Sequence, residues 1–89
     1  MKSLPLRQAE KQLLALAGGD SGEGRLTLLT AKKDRSLTVI VSGGVATVRE
    51  EGFENRETAY DAGDRSHLKK ALREAFDREF PRSHRLYVD

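Results

Sequence analysis

Cysteine is absent from the chain, which excludes disulfide staples, thiolate zinc sites and cysteine nucleophiles together. That absence fits a reducing compartment, so a cytoplasmic location is expected. Tryptophan is also absent, and aromatic residues make up only 6% of the sequence, few for stacking unpaired bases. Long apolar runs are missing as well. Leu13 to Ala17 is the longest near the N-terminus, and Arg7, Glu10, Lys11 and Gln12 interrupt what precedes it. Ala15 and Ala17 have the spacing of a signal-peptidase site, but the run is too short for a secretory signal or a membrane span. No membrane partner is expected.

What is present suits one small globular domain. Charged residues make up 34% and hydrophobic ones 37% of 89 residues. A chain of this length builds a single modest core, burying roughly 60–65% of the surface its unfolded form exposes. A single domain over residues 1–89 is expected, with residues 18–24, rich in glycine, as a flexible connector.

The stretch that organises the rest runs from Leu37 to Arg49, where two alternating runs of β-formers meet at Gly43-Gly44. A two-residue Gly-Gly loop suits a type I′ turn, whose central positions both need positive φ. That turn sets Ser42 opposite Val45, Val41 opposite Ala46 and Val39 opposite Val48. Leu37, Val39, Val41, Ala46 and Val48 then share an apolar face, and Thr38, Ile40, Thr47 and Arg49 share the other.

Before this hairpin, Ser3 can cap a helix with Pro5 in its first turn and Leu6, Ala9, Leu13, Leu16 and Ala17 along one stripe. Gly18 to Gly24 superficially suggests a phosphate-binding loop. Such loops run from strand to helix, whereas this one runs from helix to strand and lacks the Lys-Ser/Thr pair, so it reads as a connector. Arg25 to Ala31 reads as a strand. A loop from Lys32 to Arg35 would set Leu26, Leu28 and Thr30 beside Val41, Val39 and Leu37.

After the hairpin, a loop from Glu51 to Asn55 would oppose Glu50 with Arg56, Val48 with Thr58 and Ala46 with Tyr60, giving a fourth strand. Phe53 sits at that loop tip, either folded over the core edge or presented to a partner. Asp64 or Ser66 can cap a second helix with Leu68, Ala71, Leu72, Ala75, Phe76 and Phe80 as its stripe; Lys70 with Glu74 and Arg73 with Asp77 are spaced as ion pairs, and Pro81 stops it. Leu86 to Val88 reads as a closing strand. The expected fold is α+β, a two-layer sandwich: an antiparallel meander of three to four strands with two helices on one face, in the order α-β-β-β-(β)-α-β.

The net charge of +2 conceals an alternation. Residues 1–35 carry seven basic and four acidic side chains, residues 36–64 two and six, and residues 65–89 seven and four. Arg65, Lys69, Lys70 and Arg73 crowd the start of the second helix, where the helix dipole disfavours cations.

Two partner classes follow. The expected function is a small non-enzymatic protein-interaction domain, an adaptor, inhibitor or assembly module. It would bind another protein or a second copy of itself through Leu29, Thr38, Ile40, Thr47 and Phe53, with acidic and basic patches in support. Val45 and Thr27 extend the same exposed sheet face. The alternative is nucleic-acid binding, with Lys32, Lys33, Arg35, Arg65, Lys69, Lys70 and Arg73 on phosphates. The helix-meander-helix order, with Ser66 ahead of Lys69 and Lys70, is similar to that of the double-stranded-RNA-binding domain. In that family serine directly precedes its lysines, whereas His67 and Leu68 intervene here, so membership is not implied.

An enzyme is not expected, nor a cofactor, a metal or a small-molecule substrate. Ser66-His67 and Ser83-His84 are sequence neighbours whose side chains diverge on a helix or strand, so neither makes a nucleophile-base pair. Glu50, Glu51, Glu54 and Glu57 lack the ligand spacing of a calcium loop.

Overall fold

Gly43 and Gly44 adopt φ of 60° and 80°, the positive values that the two-residue hairpin turn requires. In the computed structural model, which describes residues 2–18, 24–30, 32, 35–52, 55–80 and 84–88, this turn joins the two central strands. They are β3 (Ser36–Ser42) and β4 (Val45–Glu51), and their register is the expected one, from Ser42 opposite Val45 to Thr38 opposite Arg49. β5 (Arg56–Asp61) pairs with β4 with Glu50 opposite Arg56, Val48 opposite Thr58 and Ala46 opposite Tyr60, again as the loop length predicts.

On the other side of β3 lies β2 (Gly24–Leu29), with a register different from the expected one. Leu26 faces Val39 and Leu28 faces Leu37, so the strand is displaced by two residues. The connection is still four residues long, but the bond from Thr30 N to Arg35 O (3.1 Å) closes it over 31–34 rather than 32–35. A slip of two preserves which side chains face the core.

Among the described residues the sheet has six antiparallel strands, in the order β1-β6-β2-β3-β4-β5. β6 (Arg85–Val88) inserts between β2 and β1 (Lys2–Pro5). The expected helix start at Ser3 is corrected here: residues 2–5 are a strand, Leu4 is buried, and the helix α1 (Leu6–Gly18) begins one residue after Pro5. Tertiary pairing overrides the local capping signal, and proline is tolerated because β1 is an edge strand. The glycine connector lies largely at residues 19–23, outside the described residues.

α1 and α2 (Arg65–Glu79) both cover one face of the sheet, so the α+β two-layer sandwich stands, with more strands than the meander alone supplied. Asp64 is the N-cap of α2, its side chain accepting from His67 N (3.4 Å). The core joins Leu4, Ala9 and Leu13 to Leu28, Leu37, Val39 and Ala46 and to Leu68, Leu72, Phe76 and Phe80. The Phe76 and Phe80 rings meet edge to face at 5.3 Å, a geometry worth about 0.5–1.5 kcal/mol beyond area. A Cβ on Gly24 would meet the tip of the Leu16 side chain, which places α1 against the start of β2.

Candidate interaction surfaces

Side chains alternate between the two faces of the sheet, and among the described residues the helices cover one face and nothing covers the other. Outward-facing residues form rows across the strands: Thr27, Thr38, Arg49 and Glu57 in one; Arg25, Ile40, Thr47 and Ala59 in the next; Ser42, Val45 and Asp61 in a third. Ile40 is 39% exposed and Val45 46%. The hydroxyls of Thr27 and Thr38 bond each other at 3.2 Å, so this pair satisfies its own polarity. Arg49 Nε reaches Glu51 Oε1 at 2.9 Å along β4.

Thr38, Ile40 and Thr47 are therefore neighbours, as expected. The two-residue slip removes Leu29 from their midst: it sits beside Ser36 on β3 and Tyr87 on β6, half-buried, and Thr27 takes the place opposite Thr38. Phe53 lies outside the described residues.

The phosphate candidates divide between the two ends of the sheet. β5 ends beside Gly44, where Ala62 N donates to Gly44 O (3.0 Å), so Arg65, Lys69 and Lys70 lie toward this turn end. Lys32 and Arg35 lie at the opposite end, beside Ser36 and Glu51. The helix between the ends has 15 residues and spans about 22 Å. Arg35 also donates from Nη1 to the Glu79 carbonyl oxygen (3.4 Å), where it satisfies a C-terminal acceptor of α2. Lys70 and Arg73 are exposed, Lys69 is half-buried, and Lys33 lies outside the described residues. Among the described residues neither Lys70 with Glu74 nor Arg73 with Asp77 closes the ion pair that their spacing allows.

At the loop end the structure adds a constellation that the sequence reading missed. Glu50 faces the helices and is 3% exposed. Arg78 grips it from α2, Nε to Oε1 at 3.1 Å and Nη2 to Oε2 at 3.0 Å, and Arg56 Nε stands 3.5 Å from Oε2. The forked guanidinium matches the carboxylate bidentately. Both carboxylate oxygens are thereby committed, and the group holds β4 to α2. Glu79 is also fully buried. The signal was in the pattern: Glu50 follows Val48 at strand spacing, and Glu79 follows Leu72, Ala75 and Phe76 at helical spacing. Glu50 also lines an open cleft of about 310 Å³, together with Arg49, Glu51, Asn55, Arg56 and Glu57.

The histidines are far apart, His67 at the start of α2 and His84 before β6. His67 packs edge-on against Tyr60, ring centroids 5.4 Å apart. Among the described residues no three His, Asp or Glu side chains are placed to share a metal ion, and no helix is long and apolar enough to cross a membrane. No protein-family model, no curated protein and no solved structure matches the chain.

Proposed function

We propose that the chain is a small non-enzymatic interaction domain, an adaptor, inhibitor or assembly module of the cytoplasm, that engages another protein or a second copy of itself through the outer face of its sheet. One observation carries this reading: both helices lie on one face, and the opposite face presents Ile40 and Val45 at 39% and 46% exposure among Thr27, Thr38 and Thr47. Such a face is apolar enough to be favourable to cover and polar enough to stand in water alone, the character of a non-obligate interface. The opposite-sign charges of the middle and flanking thirds of the sequence support orientation of a partner.

Light scattering and sedimentation across a micromolar range test self-association, and Ile40→Glu is the discriminating variant. A charge on the outer face should abolish association while unfolding at nearly the denaturant concentration of the parent, since exposed positions usually change stability by no more than about 0.5 kcal/mol. An Ile40→Glu protein that associates or captures its partner as well as the parent overturns the proposal. The second reading, nucleic-acid binding, rests on exposed Lys70 and Arg73 without Lys32 and Arg35 beside them. A mobility shift with random RNA or DNA, weakening steeply with salt, supports it; no shift at low salt removes it.

A further inference from the structure

The two edges of the sheet are unequal. At β1 the bond from Leu6 N to His84 O (3.0 Å) fixes the alternation, so Lys2 and Leu4 face β6 and Ser3 and Pro5 point outward. Pro5 has no N–H, which leaves Ser3 as the outward donor of that strand and blunts the edge. At β5 the bond from Ala62 N to Gly44 O does the same work: Arg56, Thr58 and Tyr60 face β4, and Glu57, Ala59 and Asp61 turn their N–H groups away from the sheet. Asp61 returns its carbonyl to Asp64 N (3.0 Å), while Glu57 and Ala59 offer both donor and acceptor. All three side chains are exposed on the outer face.

We propose that the β5 edge is a docking site for an extended basic segment of a partner protein, added to the sheet as a seventh strand. This builds on the interaction-domain reading but uses a different surface. Glu57 and Asp61 flank Ala59 on one face, so the incoming strand matches them with a lysine or arginine two residues to either side of a central residue. Ala59 is small and continues the row of Ile40 and Thr47, so the central residue is apolar and can lean across it. The main-chain bonds of Glu57 and Ala59 hold the strand and the alternate side chains select it. A second copy is disfavoured as the occupant. Antiparallel self-pairing centred on Ala59 sets Glu57 against the other copy's Asp61 twice, and directly opposed like charges are destabilising.

The probe is a short threonine-rich peptide with isoleucine at its centre and a lysine two residues to either side. Titrated into labelled protein, it should shift the amide protons of Glu57 and Ala59, bind more weakly as salt rises, and lose binding when the central isoleucine is N-methylated. Glu57→Lys should weaken binding about fivefold. Ile40→Glu should leave it unchanged, which separates this site from the outer face. The inference is overturned if the peptide fails to bind, if its N-methylated form binds equally well, or if the shifts fall on α2 or around Ile40 instead.

Discussion

At the residue scale the Glu50–Arg78 pair is the most consequential contact. A carboxylate that is 4% exposed with a guanidinium that is 32% exposed contributes little net stability while intact, because desolvation offsets most of its attraction. Breaking it is another matter. Glu50→Gln leaves the guanidinium short of its counter-charge and should cost about 2 kcal/mol, below the range for a fully buried pair because Arg78 retains solvent. Replacing both residues by leucine should recover most of that loss, and urea unfolding of Glu50→Leu, Arg78→Leu and the double variant measures the coupling. An additive cycle would mean that the pair is incidental. Arg56 exemplifies what composition hides: it belongs to a largely acidic third of the chain, yet it serves the same buried carboxylate.

At the element scale the β5 edge gives a sharp contrast between neighbours. Ala59→Pro removes an N–H that points away from the sheet, whereas Thr58→Pro removes a ladder bond to β4. The second should destabilise by about 1–3 kcal/mol, the cost of a carbonyl on β4 left without its donor, and the first by distinctly less, as thermal unfolding of the two proteins would check. A larger loss from Ala59→Pro than from Thr58→Pro would mean that the alternation along β5 is inverted. Elements were legible in the sequence to the degree that their determinants are local. The β3–β4 register follows from a two-residue turn that admits one pairing. The β2–β3 register does not, because a four-residue loop anchors equally well at Thr30 and Arg35 or one residue later, and a period-two pattern cannot see a slip of two. β1 was illegible for the opposite reason. Its strand state depends on β6, at the far end of the chain, while Ser3 and Pro5 carry a stronger local message for a helix start.

At the scale of the whole molecule the sheet is a four-strand meander, β2 to β5, completed on one side by the two terminal strands. β6 contributes Leu86, which is fully buried, and is the strand on which β1 pairs. Deleting residues 85–89 should therefore remove two strands from the sheet rather than one. The expected result is loss of the cooperative urea transition followed by circular dichroism; a sharp transition retained near the parental midpoint would show that the meander and helices fold without the closing strands. The placement of β6 between β1 and β2 also sets a timetable during synthesis. β1 is made before β6, so it has no seat in the sheet until β6 emerges, and until then the flank of β2 that receives β6 stays unpaired. Emergence of β6, rather than growth of the core, becomes the event that seats β1 and completes the sheet.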